Sequence, residues 1–126
     1  MLADHVPCGF LAVDDIDRAR AFYEGVLGLR CRGFDGFALR LEAGPIRLRI
    51  VKPPARVVAD YTVFGWESAD LAADVAALAT RGVAFLRYPF FGDSQDAQGI
   101  WTAPNGDKVA WFRDPDGNVL SLAQHV

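Results

Sequence analysis

Histidine is scarce in this chain, which carries only His5 and His125, so imidazole for metal or acid–base chemistry is in short supply. Two cysteines, Cys8 and Cys31, are too few for a disulfide framework; reduced thiols in a cytoplasmic protein are expected. No run approaches the ~20 apolar residues of a membrane helix, and the first residues lack a basic-then-apolar pattern. A membrane partner is therefore not expected. The chain is also short of positive charge, at a formal −3, which argues against nucleic acid as its partner. No Ser-His-Asp arrangement, phosphate loop or clustered His/Cys set is visible. Asp96 and Glu67 could act as acids or bases, but nothing around them singles them out.

What is present fits one globular domain. The 126 residues suffice to bury roughly two-thirds of the unfolded surface. A hydrophobic content of 52% with 23% charged residues is ordinary for such a domain.

The densest local signal lies near the end. Val109-Ala110-Trp111-Phe112-Arg113 and Val119-Leu120-Ser121-Leu122 flank Asp114-Pro115-Asp116-Gly117-Asn118, which predicts an antiparallel hairpin. Pro115 presets a negative φ, the Asp side chains can bond nearby N–H groups, and Gly117 tolerates a positive φ. Strand alternation puts Val109, Trp111 and Arg113 on one face, and Ala110 and Phe112 on the other. On the returning strand Val119, Ser121 and Ala123 oppose Leu120, Leu122 and Gln124. One face suits a core; the other, with an aromatic, a cation and a hydroxyl, suits a cavity wall.

Earlier in the chain, Pro7 to Val13 reads as a short apolar strand. Asp14 or Asp15 caps a helix whose buried face is Ile16, Ala19, Phe22, Tyr23, Val26 and Leu27, with Gly28 as its stop. Strands are expected at Leu29–Phe34, Phe37–Leu41 and Ile46–Val51. Lys52-Pro53-Pro54-Ala55 cannot continue a ladder and reads as a linker. The pattern then restarts: a strand at Asp60–Trp66, and a helix capped by Ser68 or Asp70 with a Leu71, Val75, Leu78, Ala79 stripe and Gly82 past its end. A strand is expected at Val83–Arg87. A shift of about 55 residues sets Asp15 on Asp70, Ile16 on Leu71 and Tyr23 on Leu78, as in a duplicated unit. Tyr88-Pro89-Phe90-Phe91 and the polar residues to Gly99 read as a loop or lid. Asn105-Gly106 is a tight-turn signal joining Ile100–Ala103 to the hairpin. The expected architecture is α+β: one domain over 1–126, with module one at about 5–52, a linker at about 53–58 and module two at about 59–126.

The repeated βαβββ order, Phe22-Tyr23, Leu27-Gly28 and Phe112-Arg113-Asp114-Pro115-Asp116-Gly117-Asn118 resemble the vicinal oxygen chelate superfamily. That group includes glyoxalase I, extradiol dioxygenases, fosfomycin-resistance enzymes and bleomycin-resistance proteins. The resemblance implies two tandem βαβββ modules whose curled mixed sheets surround a cleft, commonly in a homodimer. It also implies a divalent metal held by His, Glu or Gln at four strand positions. Carried onto this chain, those positions fall on Cys8, about Arg49, Val63 and Ser121. Arg is always protonated and Val has no lone pair, so this set departs from the family at all four places. His5 has the wrong parity to help, and His125 lies roughly 13 Å along the strand from Ser121. No metal and no cofactor are therefore expected.

By the same parity the expected small-molecule site comprises Cys8, Phe10, Arg47 and Arg49 from module one. Val63, Trp111, Arg113 and Ser121 come from module two, with Gly65 beside Val63. Trp111 offers a stacking face, and Arg113 or Arg49 could hold a carboxylate or phosphate. Plainer readings compete. Trp111 reads equally as core or interface; Trp66 and Trp101 read as structural. Arg30, Arg32, Arg40, Arg47 and Arg49, spaced by twos, read as a solvent-exposed sheet face. Ser121 reads as a small polar filler and Cys8 as an inert thiol.

The preferred expectation is a homodimeric glyoxalase/bleomycin-resistance/dioxygenase-like protein that binds a small organic molecule, anionic by its arginines, as in resistance or sequestration. The alternatives are a metal-dependent glyoxalase-like lyase, isomerase or dioxygenase with displaced ligands, and an accessory domain that binds another protein.

Overall fold

A computed structural model describes all residues, Met1–Val126. The chain divides into two compact units, Met1–Val58 and Ala59–Val126. Each carries one four-stranded mixed sheet with a helix on one face.

The first unit contains β1 (Cys8–Ala12), α1 (Ile16–Arg20), β2 (Arg30–Phe34), β3 (Ala38–Ala43) and β4 (Ile46–Val51). Their order in the sheet is β1-β4-β3-β2, with β1 parallel to β4 and the other pairs antiparallel. The two inner strands are built by alternation. Leu39, Leu41 and Ala43 on β3 and Leu48 and Ile50 on β4 are buried, while Arg40 and Arg47 point to solvent. The buried side packs on the helix, which contributes Ala19 and Tyr23, both without exposed surface. Asp15 caps that helix: its Oδ1 accepts from the Arg18 N–H at 3.0 Å. Helical winding continues through Ala21–Val26 but widens to π-type turns, so that Leu27 N–H bonds the Phe22 carbonyl at 2.9 Å. Gly28, at φ 75°, ends it as expected.

The second unit contains β5 (Thr62–Glu67), α2 (Leu71–Thr80), β6 (Trp101–Thr102), β7 (Lys108–Arg113) and β8 (Val119–Gln124), ordered β5-β8-β7-β6. Asp70 caps α2 by accepting from the Ala73 N–H at 3.2 Å, and the Gln124 side chain accepts from the Leu71 N–H at 2.8 Å. Ala110, Phe112, Leu120 and Leu122 join Leu71 and Val75 of α2 in the core. The expected antiparallel hairpin forms, with Arg113 opposite Val119 and Trp111 opposite Ser121. Asp114 organises its turn. Oδ1 accepts from the N–H groups of Asp116 and Asn118 at 3.0 and 2.8 Å, and Oδ2 from Asn118 Nδ2 at 2.8 Å.

One expected strand is missing. Val83–Arg87 forms only a single bridge, Phe85 to Phe112. The outer edge of β7 is shared: β6 pairs with Val109 and Lys108, while Leu86 N–H reaches the Trp111 carbonyl at 2.8 Å. Neither segment has room for a full ladder. Strand pairing over Ile100–Ala103 accordingly shrinks to two residues.

No helix is long and apolar enough to cross a membrane.

Candidate functional site

The face of the first sheet turned away from α1 is where chemistry concentrates. Register sets Cys8 beside Arg47, Phe10 beside Arg49, Arg49 beside Arg40, and Arg47 beside Glu42. A cavity of about 410 Å³ opens there, walled by Cys8, Arg32, Arg40, Glu42, Arg47 and Arg49. Cys8 is exposed, and Phe10, the register partner of Arg49, is 60% exposed.

Charge on this face is unbalanced. Arg32 reaches Glu42 at 2.7 Å and Arg30 reaches the same carboxylate at 3.5 Å. The Arg32 hydrogen bond, reinforced by the neighbouring guanidinium charges, holds the Glu42 carboxyl below its ordinary range. Arg49 pairs with Asp35 at 2.8 Å. Asp35 is held down to about 2, first by the N–H groups of Ala38 and Phe37 and then by Arg49. Arg40 spends one N–H on the Arg32 carbonyl at 3.1 Å, which offsets no charge. The Arg47 guanidinium makes no hydrogen bond or ion pair of its own. Five guanidinium groups thus meet two carboxylates, an excess of three positive charges on one side of a sheet. Such a surface attracts anions, and paired guanidinium donors fit carboxylate or phosphate.

On the second sheet, Val63 lies at a register irregularity between Thr62 and Phe64 and is 39% exposed. Gly65, Ser121 and Trp111 are successive register partners across β5, β8 and β7. Trp111 is not a bare platform. Phe91 lies over it, centroids 5.5 Å apart and 17° from parallel, and Tyr88 meets it edge-on at 5.4 Å. Arg113 is committed to the hairpin turn: its Nη1 donates to the Gly117 carbonyl at 2.7 Å, and Asp60 lies 3.8 Å from Nη2.

The loop after Tyr88 is anchored at its far end. Gln95 is buried, donates to the carbonyls of Leu86 and Gly99, and accepts from the Tyr88 N–H. Arg87 adds bonds to the carbonyls of Asp96 and Gln95, at 2.7 and 3.3 Å.

The residues do not fit the divalent ion that the resemblance implies. The positions that the resemblance assigns to ligands fall on Cys8, about Arg49, Val63 and Ser121, and neither a guanidinium nor an isopropyl group has a lone pair to offer a hard cation. Nowhere do three His, Cys, Asp or Glu side chains gather closely enough to hold a metal. His125 is taken up by Asp107, Nδ1 to Oδ2 at 2.9 Å.

Reading the sequence alone missed Asp35, Glu42, Phe91 and Gln95. Glu42 had a usable signal, alternating with Arg40 along β3. Gln95 had none, because its three partners are backbone groups placed by the fold.

The two βαβββ modules place the chain among glyoxalase-type folds. A family model for the Glyoxalase/Bleomycin resistance protein/Dioxygenase superfamily matches residues 3–122, and the chain belongs to that superfamily. A superfamily member from Sphaerobacter thermophilus DSM 20745 superposes at a TM-score of 0.75 with 19% identity, over 99% of this chain and 100% of the other. An integron cassette protein from V. Cholerae gives 0.70 and 23%, over 100% and 98%. A lactoylglutathione lyase from Agrobacterium tumefaciens gives 0.69 and 21%, over 98% and 96%. No curated protein matches the chain.

Proposed function

We propose that this superfamily member binds a small organic anion without a metal, on the arginine-bearing face of its first sheet, as in sequestration or resistance. The supporting observation is the cavity of about 410 Å³ with Arg47 at its wall, a guanidinium with no protein acceptor. That volume lies within the range of small-molecule sites, roughly 300–1,000 Å³. Arg40 lies two residues from Glu42, the register partner of Arg47, so one carboxylate or phosphate can take donors from both arginines. The exposed Phe10 ring beside Arg49 gives the organic part of the ligand an apolar surface. A homodimer in the cytoplasm is part of this proposal, supported by the family resemblance and by two free cysteines.

Calorimetric titration with benzoate, phenyl phosphate and neutral benzamide tests the reading. One of the two anions binds, benzamide does not, and the affinity falls as salt rises. Arg47→Ala weakens that anion by about tenfold or more, the worth of a charge-assisted hydrogen bond. Absence of binding by both anions, or stoichiometric divalent metal held by protein atoms in elemental analysis, would overturn it.

A further inference from the structure

The five rings of Tyr88, Phe90, Phe91, Trp101 and Trp111 form one cluster on the second sheet. Trp101 and Trp111 project from adjacent strands, β6 and β7, with centroids 6.1 Å apart. Phe91 is not part of the sheet. It rides on the tight-turned segment Pro89–Ser94 and lies over both tryptophans at once, 4.7 Å and 20° from Trp101, 5.5 Å and 17° from Trp111. Both contacts have the near-parallel geometry and centroid spacing of favourable ring stacking.

The segment is fastened differently at its ends and at its middle. Its flanks are fixed, since the Gln95 carboxamide holds the Tyr88 N–H, the Leu86 carbonyl and the Gly99 carbonyl. In between, the hydrogen bonds run along the segment itself: Phe91 N–H to the Tyr88 carbonyl, Ser94 Oγ to the Phe91 carbonyl, Gln95 N–H to the Gly92 carbonyl. Ring stacking is what attaches Phe91 to the sheet. Gly92, at φ 53° and ψ −130°, breaks the helical path beside it, a conformation open to glycine. Phe90, next to Phe91, is 78% exposed. This is the construction of a flap: pinned base, glycine at the bend, one ring as the latch.

We propose that Trp101 and Trp111 form a stacking site for an uncharged planar aromatic ligand, for which Phe91 is the resident stand-in. The latch itself shows what the platform accepts, a neutral ring at stacking distance. A ligand with a larger π surface covers both indoles better than one phenyl ring does, and binds as the flap swings out. The site uses only residues of the second unit, so it stands or falls independently of the arginine face.

The test is calorimetric titration of the whole chain with 2-naphthol, uncharged at neutral pH, against its saturated analogue 2-decalol. The closed flap competes with ligand, so affinity is reduced by the fraction of open molecules. Phe91→Ala therefore binds 2-naphthol about tenfold or more tightly than the parent chain. Gly92→Ala, which keeps every ring but cannot hold the closed bend, shifts affinity the same way. Trp101→Leu in the Phe91→Ala background abolishes binding; this edge position tolerates change better than Trp111. Arg47→Ala leaves 2-naphthol binding unchanged. Equal affinity in the parent and both flap variants overturns the proposal, as does equal binding of 2-decalol.

Discussion

The Gln95 side-chain nitrogen donates to the Leu86 carbonyl at 2.8 Å, so the far end of the aromatic loop is tied to its own root. The same carboxamide holds Gly99 and Tyr88, and only 5% of the residue is exposed. Gln95→Leu removes three partners from a dry position and orphans two carbonyls and one N–H. A loss of about 2–4 kcal/mol is expected, since each unmet buried group costs roughly 1–3 kcal/mol and relaxation recovers part. Urea unfolding gives the number, and amide exchange over residues 86–100 should accelerate more than elsewhere. A variant within half a kcal/mol of the parent would show the loop holds its shape without the carboxamide.

Acid should expose the work done by Asp35. Its carboxyl is held at about 2 against an ordinary 3.8, mainly by the N–H groups of Ala38 and Phe37 and then by Arg49. A depressed carboxylate stabilises the fold fully above its unfolded value and loses that contribution as pH falls through its folded value. The loss therefore spans pH of about 4 down to about 2. Asp35→Asn flattens the stability profile in this window. Because the backbone donors act first, Arg49→Gln raises the Asp35 titration midpoint only part of the way, as carboxyl NMR would show.

The turn and both sheet faces were legible in the sequence because their causes are local. Pro115, Gly117 and the Asp side chains specify the hairpin within a few residues. Period-two alternation put Arg47 and Arg49 on one face of β4 and Leu48 and Ile50 on the other. Val83–Arg87 misled because a strand needs a free edge, and β7 divides its edge between Leu86 and β6. Trp111 and Arg113 also have protein partners that residue spacing did not announce: Phe91 stacks on the first, and the Gly117 carbonyl accepts from the second. Both outcomes depend on segments remote in sequence or on a turn's return path, which residue spacing does not encode.

The C-terminus should behave as a pH-dependent clasp. Asp107 accepts from the Val126 N–H at 2.9 Å and bonds His125 Nδ1 at 2.9 Å, and Glu67 lies 3.8 Å from Nε2. The hydrogen bond to Asp107 and its charge raise His125 above its ordinary 6.5. A raised group stabilises fully below its unfolded value and loses that contribution as pH climbs through the folded one. The clasp thus loosens on the alkaline side of 6.5. Proton NMR of the His125 ring should give a midpoint above 6.5, moving back toward it in Asp107→Asn. An unchanged midpoint would assign the shift to Glu67 instead.

Gly65 sits opposite Ser121 in the parallel pairing of β5 and β8, with no room for a side chain. A Cβ built there falls 2.6 Å from Ser121 Oγ and 2.9 Å from the Ser121 carbonyl oxygen. The two conflicts differ in kind. The hydroxyl can rotate away, whereas the carbonyl belongs to the β5–β8 pairing and moves only with the strand. Gly65→Ala should therefore cost about 1–3 kcal/mol, the usual range for overpacking. Adding Ser121→Gly relieves the hydroxyl clash alone and recovers part of the loss, a non-additivity expected of residues in contact. Urea unfolding of the two single variants and the double completes the cycle. Full recovery in the double would put the whole conflict at the hydroxyl, and the backbone spacing of β5 and β8 would then impose nothing on position 65.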